Sequence, residues 1–128
     1  MARTDLSMIS SEDVHGTDVY GPRPRGANEE DAGEEAIGEI DHLMIDKATG
    51  RVTYAVMSFG GFLGLGHSQY PLPWAALTYD TSIGGYRTNV TERQLNDAPG
   101  FDDDSWSDRA WEARTHEHYR VPAYWDRA

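Results

Sequence analysis

Turn signals recur so often along this chain that no long element fits between them until its last quarter. Gly16, Gly21-Pro22, Asp46 to Gly50, Gly60 to Gly66, Pro71, Pro73, Gly84-Gly85 and Pro99 punctuate the first hundred residues. Glycine and proline interrupt regular structure because one tolerates positive φ and the other lacks an N–H. Between these breaks lie short apolar segments of strand length. Several short strands with frequent turns predict a small barrel or sandwich rather than βαβ units. At 128 residues the chain has room for one ordinary domain.

The segments read in order as follows. Ser11 caps a helical turn through Glu12, Asp13, Val14 and His15, and Gly16 ends it. Thr17 to Tyr20 is a short strand. Gly21 to Glu35 holds two prolines, three glycines and five acids. Its length and polarity predict a mobile, solvated insertion between two strands. Ala36 to Asp46 is rich in Ile, Leu and Met, but its apolar positions change phase. Gly38 and Ile40 share one face, and Leu43 and Ile45 fall on the other parity. A bulge near Asp41-His42 brings both sets to one side. Asp46 to Gly50 is a hairpin turn, with Gly50 at positive φ. Arg51 to Phe59 is the second long strand, with Val52, Tyr54 and Val56 on one face and a partly polar face of Thr53, Ala55 and Met57. His67 to Leu72 is a strand, Ala75 to Leu77 a tight turn, and Thr78 to Asp80 and Tyr86 to Thr88 two further strands. Thr91 opens a short helix with Gln94 in the capping-box position. Ser107 caps a last helix running from Asp108 to about Tyr119, with Asp108 and Glu112 near its positive end.

The order Ile37-Gly38-Glu39-Ile40, Asp46 to Val52, Tyr54-Ala55-Val56, Gly60-Gly61-Phe62-Leu63-Gly64-Leu65-Gly66 and Pro71-Leu72-Pro73-Trp74 resembles the PRC-barrel family. The resemblance covers roughly Ser10 to Phe101, and the glycine loop with its following Pro-Trp is the most specific part. It implies a mainly β fold, an SH3-like barrel of about six strands, and a protein–protein docking module rather than an enzyme. The family includes the cytoplasmic domain of the photosynthetic reaction-centre H subunit, the C-terminal domain of a ribosome-maturation factor and free-standing bacterial proteins. The expected organisation is residues 1–16 as an N-terminal segment with a helical turn, residues 17–101 as the barrel with 21–35 as its acidic insertion, and residues 102–128 as a helix with an aromatic tail.

Composition narrows function. Eleven Lys and Arg stand against 22 Asp and Glu, a formal charge of -11. That balance repels phosphate backbones and anionic lipid, so no nucleic-acid partner is expected. With no cysteine there is no disulfide, thiolate metal site or cysteine nucleophile. No apolar run approaches the roughly 20 residues of a membrane span, and no secretory h-region follows Met1. The expected location is cytoplasmic, without membrane insertion.

Each candidate constellation has a structural reading. Gly61-x-x-Gly64-x-Gly66 lacks the P-loop spacing and the following Lys-Ser or Lys-Thr. A strand rather than a helix follows it, so the glycines let the chain cross the barrel end. His116 and His118 point about 200° apart on a helix, so one metal cannot take both; they suit a helix C-terminus as cation-capable groups. Asp102 to Asp104 lacks the alternation of a calcium loop and reads as a solvated linker. Ser58, Ser68 and Ser82 lie in no nucleophile-elbow context. No catalytic residue, metal or cofactor is therefore assigned.

Trp106, Trp111, Tyr119, Tyr124 and Trp125 crowd the last quarter. If Trp106 and Trp111 are both helical they lie about 140° apart. Trp106, Ala110 and Ala113 then form one stripe, and Trp111, Thr115 and His118 another. A lone helix cannot hide both against one small barrel. Either the tail wraps its own barrel, or one stripe meets a second subunit. The sequence supports a non-enzymatic module that self-associates as a homodimer. Phe62, Leu63, Leu65, Trp74, Trp106, Trp111, Tyr119, Tyr124 and Trp125 are its candidate contact residues, since tryptophan and tyrosine anchor interfaces. Two alternatives remain. One is an accessory subunit of a membrane redox or photosynthetic electron-transfer complex, docking on a basic or membrane-complex partner. The other is a small metal-dependent hydrolase.

Overall fold

The structure, a computed structural model, describes residues 8–22, 36–59 and 68–126. The expected insertion at 21–35, from residue 23 onward, and the glycine loop from 60 to 66 lie outside the described residues, Phe62, Leu63 and Leu65 with them, as does His67, the expected start of the next strand. Helix α1 (Ser11–Val14) is capped by Ser10 rather than Ser11. Ser10 is extended, with φ -69° and ψ 143°, and its hydroxyl accepts from the Glu12 N–H. Gly16 ends the turn at φ 82° and donates its N–H to the Ile40 carbonyl at 2.7 Å.

Six strands follow: β1 (Asp18–Tyr20), β2 (Ala36–Ile45), β3 (Val52–Phe59), β4 (Ser68–Pro73), β5 (Leu77–Asp80) and β6 (Gly85–Thr88). They form one curled sheet in the order β4-β3-β2-β1-β6-β5. All neighbours are antiparallel except β1 and β6, which pair in parallel. A 3-10 turn at Trp74–Ala76 carries the chain from one sheet edge to the other. At Gly85, an added Cβ would lie 2.8 Å from the Asp18 carbonyl oxygen, so only glycine lets β6 approach β1 this closely.

The predicted bulge is present. Pairing steps from Ile40–Met57 to His42–Val56, which leaves Asp41 without an opposite residue. Asp41 is pinned there: its carbonyl accepts from His15 Nδ1–H at 2.7 Å, and its Oδ2 accepts from Gln69 Nε2–H at 3.0 Å. The bulge puts Ile40 at zero exposure and lays Leu43 against the core. Ile45 does not join them and is 53% exposed. A second register shift, between Met44 and Ile45, turns it outward at the hairpin.

Val19, Ile40, Ala55, Met57 and Leu72 are fully buried and fill the concave side of the sheet. On β3 it is thus the partly polar face, Ala55 and Met57, that looks into the core. The Tyr54-Val56 face is buried as well, 1% exposed at both residues. Both faces of this strand are covered, so no polar side is required along it.

Helix α2 (Glu92–Asn96) carries the full Thr91–Gln94 capping box. Asp102 to Asp104, expected to be a solvated linker, instead starts an ordered 3-10 turn at Asp103–Ser107. There Asp102 Oδ1 accepts from the Asp104 N–H at 2.9 Å, and the Asp102 N–H donates to Ser105 Oγ at 3.0 Å. Helix α3 (Arg109–Tyr119) is capped by Asp108, not Ser107, because Ser107 is still part of the 3-10 turn. Asp108 Oδ1 accepts from Ala110 and Trp111 N–H. Arg120, at φ 57°, ends the helix, and a 3-10 turn at Tyr124–Asp126 follows.

Candidate functional site

The convex face of β3 is where the C-terminal segment docks. Tyr54 sits at its centre. Its ring lies 5.4 Å from Trp106, 5.7 Å from Trp111, 5.5 Å from His116 and 6.1 Å from Tyr124, centroid to centroid. These are the offset and edge-on separations that aromatic quadrupoles favour. Trp106 and Trp111 touch each other edge-on at 5.5 Å. The two-stripe problem disappears because Trp106 is not on α3. The 3-10 turn before the helix swings Trp106 back over Tyr54, and both tryptophans share one partner. The buried face of α3 is Trp111, Glu112, Thr115, His116 and Tyr119.

Glu112 is the polar centre of this assembly, only 6% exposed. Its Oε1 accepts from the Tyr54 hydroxyl at 2.8 Å and from the Tyr124 hydroxyl at 2.6 Å. Arg109 Nη1 stands 3.5 Å from Oε2. A buried carboxylate is costly unless hydrogen-bonded and paired, and here two phenols and a guanidinium meet it. Burial, then the carboxylate they bond, raises the pKa of Tyr54 and pushes that of Tyr124 up to about 12. The Arg109 guanidinium also lies 4.0 Å over the Trp125 ring and 5.5 Å from Tyr124, at cation–π distance. One arginine thus ties the last 3-10 turn to the helix.

His116 is 3% exposed. Its Nδ1–H donates to the Glu112 carbonyl at 2.7 Å, and its ring packs on Trp125 at 5.1 Å and Tyr124 at 5.7 Å. Burial lowers its pKa, so the expectation of a cationic helix-end residue is corrected: desolvation outweighs the hydrogen bond to the Glu112 carbonyl and the charge of the Glu112 carboxylate. His118 faces elsewhere and donates Nε2–H to the Gln94 carbonyl at 2.6 Å. No group of three or more His, Asp or Glu among the described residues could hold a metal ion.

The candidate contact residues separate by depth. Trp111 and Tyr119 are inside, at 2% and 5% exposure. Trp74, Trp106, Tyr124 and Trp125 stay partly exposed. Trp74 packs edge-on against Tyr86 at 5.5 Å. It also lines, with Val52, His116, Pro122 and Tyr124, an open groove of about 300 Å³. Sequence reasoning missed Tyr54 as the hub and Glu112 and Arg109 as its polar partners. The Arg109–Glu112 spacing of three was the available signal, since such residues are neighbours on a helix.

The family model for the PRC-barrel domain matches residues 8–95. The chain belongs to the PRC-barrel family. No curated protein is similar enough to the chain to match it. The match runs from just before α1 into α2, taking in all six strands. The 3-10 turn at Asp103–Ser107, α3 and the aromatic end follow beyond it. The PRC barrel of this chain therefore has its β3 convex face covered by a segment outside the matched residues. No helix of the described residues is long and apolar enough to cross a membrane.

Proposed function

We propose that this PRC-barrel protein is a non-enzymatic interaction module that pairs with a second copy of itself. One observation carries the reading. After the tail has buried Trp111 and Tyr119, four large aromatic residues, Trp74, Trp106, Tyr124 and Trp125, remain partly exposed on or beside the clasped face. Trp74 and Tyr124 line one groove there. Partly exposed tryptophan and tyrosine are the anchors that protein interfaces favour. The core inside the sheet is filled by strand side chains together with Val14, Leu95 and Tyr119 from the helices, which supports binding through the outside rather than chemistry within. The tail supplies part of this surface in cis, so a partner would meet a preformed face at low ordering cost.

Light scattering at high micromolar concentration tests the reading. The expected mass is near twice 14.3 kDa, and Trp125→Ala shifts it toward the monomer. A strictly monomeric protein under those conditions overturns self-association.

A further inference from the structure

Trp111, Thr115 and Tyr119 repeat at intervals of four along the buried face of α3. Trp111 Nε1, Thr115 Oγ1 and the Tyr119 hydroxyl are buried and have no hydrogen-bond partner in the structure. Buried polar atoms are almost always paired, and an unpaired one is costly. Three on one helix stripe call for an explanation. All three side chains line the same cavity, about 350 Å³, between α3, β4 and the segment leaving α2. Its other walls mix the apolar Pro71, Leu95, Pro99 and Phe101 with the polar Gln69 and Asn96. It lies away from the groove bounded by Trp74 and Tyr124, and Trp125 takes no part in it.

We propose that this cavity binds a small, neutral, largely apolar molecule carrying a hydrogen-bond acceptor oxygen, of the ketone or amide kind. The volume falls in the range of small-molecule sites, roughly 300 to 1,000 Å³, and a wall of apolar side chains interrupted by polar groups matches their usual lining. The indole N–H donates only, so an acceptor alone can satisfy it; the two hydroxyls can donate as well. A cationic donor group would leave Trp111 unmet. An anion would have to approach a protein of charge -11, against its field. Because the three atoms are sealed in the wall, binding includes a small shift of their side chains toward the ligand.

The site is separate from the proposed self-association, and the test keeps the two apart. Acetophenone is titrated into ¹⁵N-labelled full-length protein, with ethylbenzene and benzoate as matched hydrocarbon and anion. The four indole N–H resonances are followed. The expected result is a saturable downfield movement of the Trp111 signal with the ketone, and no downfield movement with ethylbenzene. Benzoate is expected to bind more weakly than the ketone. Thr115→Val, nearly the same shape, is expected to weaken ketone binding by about threefold to tenfold while leaving the fold intact. Trp125→Ala, outside the cavity, is expected to keep the ketone response whether or not the protein dimerises. No saturable Trp111 response, equal behaviour of ketone and hydrocarbon, or unchanged affinity in Thr115→Val overturns the proposal.

Discussion

Glu112 shows how much one side chain can organise. Two phenols and a guanidinium converge on its carboxylate, and removing it leaves the buried Tyr54 hydroxyl and the part-buried Tyr124 hydroxyl without their acceptor. Glu112→Ala is therefore expected to destabilise the protein by about 3 kcal/mol in urea unfolding. Glu112→Gln keeps an acceptor oxygen and should cost only about 1 kcal/mol. His116 gives a pH dependence of definite sign. Its folded-state pKa is lowered from the ordinary 6.5 by burial, so the unfolded chain takes up the proton first. Its contribution to stability is full above pH 6.5 and shrinks as the pH falls below that value. The urea midpoint should drop on going from about pH 7.5 to about pH 5.5 (about one unit either side of that pKa), and His116→Asn should flatten that part of the profile. An unchanged slope in the variant would remove His116 as the cause. None of this was legible in the sequence. A glutamate at a helix start and a histidine at its end look like ordinary dipole partners until the strand beneath them is known.

At the level of elements, turn chemistry was readable and facing was not. Gly16, the Asp46–Gly50 hairpin, the bulge beside Asp41 and the Thr91–Gln94 capping box are local, and each can be inferred from a few adjacent residues. Caps shifted by one residue at Ser10 and Asp108, where two neighbouring polar residues competed. The faces of β3 were harder. Alternation marks the core side only when the other side meets water, and here a distant segment covers it. That covering makes a prediction. A chain ending at Gly100 uncovers Tyr54 and Val56, each 1% exposed in the whole protein. It also discards Trp106, Trp111 and Tyr124, and losing the burial of one such ring costs about 3 kcal/mol or more. Three such losses, about 9 kcal/mol, are as large as the roughly 5 to 15 kcal/mol that holds a domain together. The shortened chain should lose its cooperative thermal transition and bind an apolar dye. A sharp transition at an unchanged temperature would show that α3 is ornamental to the barrel.

For the whole molecule, charge and aromatic surface pull in opposite directions. Two copies of a protein with charge -11 repel each other, and the repulsion weakens as salt shortens the screening length to about 10 Å at 0.1 M. Self-association through Trp74, Tyr124 and Trp125 should therefore tighten between low and moderate salt, a trend that sedimentation can follow. Weakening with salt would point to ion pairs and to a different surface. The barrel was legible because the order of turns and strands is a property of the whole chain. Where the tail lies was not, because apolar area announces a need for cover without naming what supplies it.

The parallel pairing of β1 with β6 has a consequence for assembly. The earliest strand is flanked by β2 on one side and by residues near position 87 on the other. Neither half of the barrel can complete its ladder alone, and during synthesis β1 must wait for β6 to arrive. Contacts so far apart along the chain slow folding. The same arrangement lets a late-made hairpin act as the closing piece that commits the molecule to a single register.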